Sequence, residues 1–567
     1  MSNISKKNVF YGRCLLFSFF FPIVVFICNY VAFPRLPGLI DKDMFQDLLI
    51  GGSINALFLL PGMILPILIL PCMLLLYGGV VLPTLIYSGY MITFRSLFDY
   101  EVSKFVWNTN WNEAYEFLAA RLPFFAWGAL LFVVFFPFVL MVWVLRAPKP
   151  ANTAKRMFCL LPLVLGVVFY EGYFMRLHPQ EKTRTWLDNN VRVYFFRYYA
   201  REFYKYKNMD DYEKSLLRLM TQQPKEHFPL TGLKRTSDRE FDGEIVGLVL
   251  VGESATRIHH GIYGYFRDTT PRLQAISSDL LIFDKAEAVA SATTRALLGA
   301  FSFLDNQRGY LIDYTCSIFD ILNEANFKTF WLTNSVIESI IAFSGADAFV
   351  RLINSNVQRY EDVNIADEKG KYLDGATLPL FRDILASSRS NKGIFVHFNG
   401  SHMHYVNRYP SEFSRFRDYP DDPRRPWLSP AKKNLIDQYD NSILYTDYII
   451  AEFIEAIKDR GGASFVLYFS DHGEEVYDTQ DFFGRVDKRV EKTPSIMKIP
   501  LILWLSDEYK TRFPEIAETA RTNQHKDFVL DDLFWTMIDL YDLTFDGFRP
   551  DKSIVNKAYV PANVNSH

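Results

Sequence analysis

The chain has few cysteines, and they are unevenly placed. Of five cysteines in 567 residues, four lie in apolar stretches ahead of Phe174, at Cys14, Cys28, Cys72 and Cys159. Cys316 is alone in the remaining part, which therefore has neither a partner for an internal disulfide nor a Cys-x-x-Cys metal site. The cysteine count gives no indication of an oxidising compartment.

A strong excess of one charge is also missing. Lys and Arg number 61 against 64 Asp and Glu, for a net charge of -3, and no arginine-rich run occurs. Because nucleic-acid binding depends on a basic surface, this composition does not favour a nucleic-acid partner. The average hides two unlike parts, since apolar residues crowd ahead of Phe174 and charged residues follow it. We therefore expect a membrane part and a soluble domain.

Long apolar runs are confined to the first part. A spanning helix needs about 20 mostly apolar residues, and five stretches approach this length: 14–33, 48–67, 69–94, 124–145 and 158–174. The second and third stretches read either as a tight hairpin of two spans or as one span with a re-entrant piece. The first stretch is predicted to be an anchor, because its apolar core exceeds the roughly 7–15 residues of a signal peptide and no small-residue cleavage site follows.

Basic residues indicate how these segments are oriented. They are Lys6, Lys7 and Arg13 ahead of the first run, and Arg146, Lys149, Lys155 and Arg156 between the fourth and fifth. Lys and Arg mark the cytoplasmic side, and both groups lie there only if an even number of spans separates them. This favours five spans, with the rest of the chain outside. The aromatic and basic run 182–207 predicts a helix on the membrane surface.

From residue 243 onwards, short apolar runs alternate with helical patterns. Six runs are predicted as buried strands: 244–251, 279–283, 329–333, 393–399, 464–470 and 499–505. The clearest helix is predicted over 431–458. Such alternation favours a mainly parallel sheet covered on both faces. We thus expect a transmembrane domain over 1–176, amphipathic linker helices over 177–242 and an α/β domain over 243–567.

Polar residues follow three of the predicted strands. Glu253 follows the first, His402 the fourth, and Asp471 with His472 the fifth. The carboxyl ends of parallel strands meet at one edge, and a mixed set of oxygen and nitrogen ligands suits zinc. Each residue alone has a structural alternative, since a buried glutamate can cap a helix and an Asp-His pair can form a turn.

Two threonines, Thr293 and Thr294, open a further predicted helix within 289–304. The amino end of a helix can bind a phosphate group and favour an alkoxide. An ordinary threonine N-cap explains the local sequence as well. In the outward-facing stretch 95–122, the run TNWNE (109–113) fits an interfacial aromatic helix.

Five segments in this order resemble the phosphoethanolamine transferases of Gram-negative bacteria, within the alkaline phosphatase and sulfatase superfamily. They are GESATRIHHGIYGYFRDTTPRL (252–273), SATTRALLGAFSF (291–303), FNGSHMHYVNRYP (398–410), YDNSILYTDYII (439–450) and SDHGEE (470–475). The resemblance covers almost the whole chain. It implies an alkaline-phosphatase-like three-layer α/β sandwich with a central, mostly parallel sheet, preceded by five transmembrane helices. It also implies a multi-pass protein of the bacterial inner membrane with a periplasmic catalytic domain.

The resemblance assigns roles to particular residues. It implies zinc ligands at Glu253, Thr293, Asp471 and His472, catalytic residues at Thr293 and His402, and lipid-donor contacts at Thr109, Asn110 and Glu113. Thr293, activated by zinc, would attack phosphatidylethanolamine and form a phospho-threonine intermediate. An envelope glycolipid, lipid A or lipopolysaccharide core, or another glycan would then accept the group. His402 would touch the donor phosphate or a second divalent ion, and the protein would act as a monomer.

The sequence departs from the family at several positions. Phe483 stands near the place where relatives often have another histidine, so the number of metal ions stays open. Ala290 and Gly299 occupy positions where many relatives have disulfide cysteines, and Phe105 replaces an asparagine ahead of the TNWNE run. These departures do not remove any of the four implied zinc ligands.

Other functions are weighed against this one. A phosphoglycerol transferase acting on a glucan or teichoic-acid-like acceptor is the first alternative. A sulfatase requires a Cys/Ser-x-Pro-x-Arg run, which is missing near Thr293. A catalytically inactive membrane scaffold is disfavoured by the joint presence of Glu253, Thr293, Asp471 and His472.

Overall fold

The computed structural model describes most of the second half of the chain and less of the first. The described residues are 66–77, 124–147, 230–237, 244–302, 304–305, 310–311, 317–334, 357–363, 367, 371–387, 389–485, 492–561 and scattered positions ahead of residue 66. The chain divides into two compact units, the second of which includes Met209–His567. The three domain ranges given by the sequence stay predictions.

Among the described residues, the first unit contains two α-helices with defined bounds, α1 (Ile69–Leu76) and α2 (Phe124–Leu145), and a 3₁₀ helix at Pro66–Leu68. The bounds of α2 are those of the fourth predicted apolar segment, and its side chains are described from Phe135 onwards. Taken over the described residues, no helix has both the length and the apolar character needed to cross a membrane. Of the first three predicted spans the structure describes α1 and scattered positions, whereas the fifth span and the linker up to residue 229 lie outside the described residues.

The second unit is built on a seven-stranded sheet, whose strands we number in chain order. They are β1 (Ile245–Gly252), β2 (Leu280–Ile282), β3 (Lys328–Thr333), β4 (Arg359–Asp362), β5 (Lys392–His397), β6 (Ala463–Ser470) and β7 (Leu501–Leu505). Their order in the sheet is β2-β7-β6-β1-β5-β3-β4. All six predicted strands are present, and β4 is an additional edge strand.

The α-helices of this unit lie between successive strands along the chain and after the last strand. They are α3 (Pro271–Ala275), α4 (Thr293–Phe301), α5 (Ile318–Glu324), α6 (Thr377–Ala386), α7 (Pro430–Arg460), α8 (Pro494–Met497), α9 (Asp507–Arg512), α10 (Pro514–Asn523) and α11 (Leu533–Leu540). The helix predicted over 431–458 is α7, which starts with a proline at its first turn, where the missing N–H costs nothing. Two-residue ladders pair 234–235 with 543–544, 286–287 with 528–529, 304–305 with 310–311, and 475–476 with 483–484.

The direction of one strand makes the sheet mixed. β7 pairs antiparallel with β6 and with β2, whereas β6-β1, β1-β5, β5-β3 and β3-β4 pair parallel. The predicted mostly parallel sheet therefore holds for six strands, and β7 runs against them.

Both faces of the sheet are covered, because alternate residues of each central strand point to opposite sides. On one face Val249 packs in a core with Phe301 of α4 and Phe319 of α5. On the other, Leu250 packs in a core with Phe453 of α7. This arrangement explains why the central strands read as continuous apolar runs, and it makes three layers.

Candidate active site

The register of the two central strands brings two acidic residues to one edge of the sheet. β1 and β6 are parallel neighbours in which Gly252 lies opposite Ser470. Glu253 and Asp471 therefore leave their strands at the same level. Both side chains are almost fully buried, and so is that of His472.

Thr293 meets these residues from the amino end of α4. The N-cap of this helix is Ala292, which makes no side-chain capping bond, so the alternative of a threonine N-cap is wrong for Thr293. Its Oγ1 lies 3.1 Å from Glu253 Oε2 and 3.3 Å from His472 Nε2. The hydroxyl is thus half-buried at a helix amino end, where the partial positive charge favours an anionic oxygen.

The arrangement of donor atoms fits a metal ion. One ligand atom each from Glu253, Asp471 and His472 lies within 4.8 Å of the others. His472 Nδ1 donates to the carbonyl of Gly473 at 2.9 Å, which leaves Nε2 facing Asp471 Oδ2 at 3.0 Å. Asp471 Oδ2 is buried without a hydrogen-bond donor among the described residues. Buried acceptor atoms that face one another are stabilised by a cation between them. An imidazole whose other nitrogen is held by a hydrogen bond is typical of a zinc ligand.

The electrostatics agree with this geometry. Burial works to lower the pKa of His472, but the Asp471 carboxylate outweighs it and raises that pKa. Burial works to raise the pKa of Glu253, yet Arg485 foremost, with His397, holds it well below its usual range. Glu253 is therefore ionised, and the position between these side chains attracts positive charge.

A tight turn after β5 places His402 at the same edge. Asp374 accepts hydrogen bonds from the backbone of Asn399 at 2.8 Å and of Gly400 at 3.0 Å. The next N–H, of Ser401, donates to the carbonyl of Glu253 at 2.9 Å. Burial first, and then Arg485, lowers the pKa of His402 to about 3, so its imidazole is neutral. His402 is not one of the three residues that form the metal-binding group.

Three residues that the sequence analysis missed contact this site or support it. Arg485 Nη1 donates to Glu253 Oε1 at 2.9 Å, and His397 Nε2 lies 3.7 Å from Glu253 Oε2. Asp374 anchors the turn that carries His402. A histidine at the end of an otherwise apolar strand was a usable signal for His397, whereas Arg485 and Asp374 stand in polar segments that predict no particular partner.

Phe483 lies near the position where the resemblance leads us to expect a further histidine, but its side chain offers no ligand atom to the site. Its side chain is 2% exposed and packs edge-on against Tyr405, with ring centroids 5.8 Å apart. The predicted donor residues Thr109, Asn110 and Glu113 lie outside the described residues.

The fold and the site together define an α/β domain of alkaline-phosphatase type with a group of residues that could hold a metal ion. The family model described as Sulfatase matches residues 246–543, more than half of the chain, and the chain belongs to this family. The predicted α/β fold is thereby confirmed for the second unit, with the sheet mixed as described.

Two relatives indicate which kind of enzyme within this family the chain is similar to. The chain is 26% identical over 559 residues to the phosphoethanolamine transferase EptC of Escherichia coli K12, across 97% of this chain and 92% of that protein. It is 26% identical over 558 residues to the phosphoethanolamine transferase CptA of Salmonella typhimurium, with the same coverage. The resemblance to phosphoethanolamine transferases is confirmed.

Two solved structures are similar to this chain. The crystal structure of the C-terminal periplasmic domain of EcEptC from Escherichia coli, in complex with zinc, has a TM-score of 0.54 and 27% identity, covering 59% of this chain and 92% of that one. The integral membrane protein lipooligosaccharide phosphoethanolamine transferase A (EptA) from Neisseria meningitidis has a TM-score of 0.68 over 97% of this chain and 98% of that one. At 18% identity, this second likeness is one of fold.

Proposed function

We propose that this chain transfers phosphoethanolamine from phosphatidylethanolamine to an envelope glycolipid, lipid A or lipopolysaccharide core, through a covalent intermediate on Thr293. The observation that supports it most directly is the meeting of Thr293 Oγ1 with Glu253 and His472, at 3.1 Å and 3.3 Å. The enzyme class is that of the named relatives. Membrane anchoring in the inner membrane, with the catalytic domain in the periplasm, would place the site beside its lipid donor.

Glu253, Asp471, His472 and Thr293 would hold zinc, since their donor set fits that ion. Zinc bound there supplies the Lewis acidity that makes a threonine hydroxyl acidic enough to react. This donor set accounts for one zinc ion.

The chain's own residues account for the rest of the reaction. Glu253 accepts the hydrogen bond of the Thr293 hydroxyl and so aims Oγ1 out of the helix end. Oγ1 loses its proton and forms a bond to phosphorus as the bond to the diacylglycerol oxygen breaks, and diacylglycerol leaves with a proton on that oxygen. In the second half, an acceptor oxygen loses its proton and attacks the phosphorus, the threonine ester breaks, and Thr293 Oγ1 takes up a proton. His402, a neutral imidazole, is proposed to hydrogen-bond to the donor phosphate.

The test is to trap the intermediate. Full-length protein in vesicles of phosphatidylethanolamine is quenched with acid and digested, and the peptides are analysed by mass spectrometry. We expect phosphoethanolamine on Thr293, its transfer to added lipid A, and loss of both in Thr293→Ala. Thr294→Ala is the neighbouring control and should keep the adduct. A glycerol phosphate adduct with phosphatidylglycerol as donor, or an active Thr293→Ala variant, would overturn the proposal.

A further inference from the structure

A short hairpin brings an arginine into the candidate site. Strand residues 475–476 pair antiparallel with 483–484, so that Glu475 lies opposite Gly484. Phe483 anchors the hairpin in an aromatic cluster with Tyr405 and Tyr477. Arg485 follows directly and reaches Glu253. The hairpin thus delivers a guanidinium group to the candidate site.

The contacts of Arg485 use only one edge of its guanidinium. Nη1 contacts Glu253 Oε1 at 2.9 Å, donates to Ser254 Oγ, and lies 4.0 Å from Glu474 Oε2. Nε and Nη2 make no hydrogen bond to any residue that the structure describes. The side chain is 12% exposed. An ion pair with Glu253 uses one nitrogen of the guanidinium group. The N–H donors on Nε and Nη2 can therefore donate to another acceptor.

Arg485 is also close to the nucleophile. Its Nη1 and Thr293 Oγ1 both contact Glu253 Oε1, at 2.9 Å and 3.3 Å, so the two groups can be no more than about 6.2 Å apart. A tetrahedral phosphate attacked by Oγ1 can therefore present a nonbridging oxygen to the guanidinium. The site has buried carboxylates at Glu253, Asp471 and Glu474, which would repel a phosphodiester unless a fixed cation offset them.

We propose that Arg485 is a catalytic residue that donates hydrogen bonds to a nonbridging oxygen of the phosphoryl group during transfer. This inference rests on the proposed function and adds to it the group that recognises the phosphate. It gives the site a fixed positive charge next to Glu253.

The experiment measures two quantities on the full-length protein in detergent micelles. One is the rate of adduct formation on Thr293 in a single turnover with phosphatidylethanolamine. The other is the affinity for zinc, by competition with a coloured chelator. The variants are Arg485→Ala and Arg485→Lys, with Arg424→Ala as control, because Arg424 is 88% exposed and pairs with Asp422.

We expect Arg485→Ala to slow adduct formation by about 10²–10³-fold, the usual effect of losing one donor to transition-state charge. Its affinity for zinc should stay within about threefold or become tighter, since a neighbouring positive charge is removed. Arg485→Lys should recover about tenfold of the lost rate, because lysine restores the positive charge but not the planar set of donors of a guanidinium group. Arg424→Ala should match the parent protein in both.

Two results would overturn the assignment. Unchanged adduct formation in Arg485→Ala would show that no phosphate contact is lost. A fall in zinc affinity parallel to the fall in rate would show that Arg485 only holds Glu253 in place. If the parent protein itself forms no adduct, the proposed function fails, and the zinc measurement alone still reports whether Arg485 supports Glu253.

Discussion

At the scale of single residues, Gly400 packs closely against the candidate site. Its φ is +51°, and a Cβ atom added there would lie 2.8 Å from the backbone nitrogen of Glu253 and 2.9 Å from its carbonyl oxygen. Both neighbours are backbone atoms, which cannot turn aside as the end of a flexible side chain can. Gly400 therefore lets the turn after β5 lie directly against the residue that carries one of the proposed zinc ligands.

We predict that Gly400→Ala displaces Glu253 and weakens zinc binding by at least about tenfold, with a loss of ~1–3 kcal/mol in the free energy of unfolding from strain and overpacking. Gly547→Ala is the matched control, because Gly547 also has a positive φ, +93°, but has open space around its Cβ position. Chelator competition and thermal unfolding measure the two effects. Equal zinc affinity in both variants would refute the prediction.

The grouping of Glu253, Asp471 and His472 was predictable because these residues lie directly beyond long apolar strands. A strand of this kind is visible in the sequence, and the residue after it lies at the edge where parallel strands end. That logic predicts Glu253, Asp471 and His472 as a group together with His402, which is not a member of the metal-binding group. It does not reach Arg485, which arrives on a two-residue ladder, because so short a pairing leaves no periodic pattern in the sequence.

At the scale of elements, the turn after β5 depends on a carboxylate from another segment. Asp374 lies just ahead of α6 and accepts both backbone N–H groups of the turn, at 2.8 Å and 3.0 Å. Burial raises the pKa of Asp374 to about 6, although these two hydrogen bonds oppose that rise. The carboxylate is thus mostly ionised at neutral pH, and it can accept both bonds only in that form.

We predict that Asp374→Asn leaves one of the two N–H groups without an acceptor, because one end of the amide only donates. The expected loss in the free energy of unfolding is ~1–3 kcal/mol, with faster hydrogen exchange at the amides of Asn399 and Gly400. Asp383→Asn, at an exposed position of α6, should leave both unchanged. Retained exchange protection in Asp374→Asn would contradict this account of the turn.

Two features of the sheet show what the apolar pattern leaves out. β7 reads like its neighbours, because a buried run has the same composition whichever way the strand points, and so its antiparallel direction was not predicted. β4 was missed because its sequence, Arg-Tyr-Glu-Asp, is polar, as an edge strand allows. Number, position and burial of the central strands follow from composition, whereas direction and edges depend on contacts distant in sequence.

At the scale of the whole molecule, a buried histidine ties three segments of the second unit together. His259 Nδ1 lies 2.6 Å from Asp440 of α7, and Nε2 lies 3.0 Å from Asp478, beyond the first strand of the hairpin. Arg267 pairs with the other carboxylate oxygen of Asp440, at 2.7 Å. Burial works to lower the pKa of His259, but Asp478 and Asp440 outweigh it and raise that pKa to about 10.

We predict that this network makes stability fall with rising pH. The pKa of His259 in the folded state exceeds the value of about 6.5 expected when unfolded. Its contribution is therefore fully present below that value and is lost as pH rises through about 10. The thermal midpoint of the parent protein should decline from neutral pH to pH ~10. His259→Gln should unfold at a lower temperature and show a flatter decline.

The control for this prediction is His525→Gln. His525 also pairs with an aspartate, Asp284, at 2.7 Å, but its side chain is 79% exposed, so solvent screens the pair. The thermal midpoint of His525→Gln should change with pH in the same way as that of the parent protein. The groups that titrate in both proteins contribute equally to both curves. If His259→Gln also runs parallel, the buried pair does not set the pH dependence.

The alignment of Gly252 with Ser470 has a consequence for how such a site can change. Glu253 and Asp471 owe their proximity to a count of residues along two neighbouring strands, since a shift of one position sends a side chain to the opposite face. Substitutions around the site leave the two carboxylates at the same level of the sheet. Inserting or deleting one amino acid within either strand would shift one carboxylate relative to the other, so the site depends on strand length as well as on its side chains.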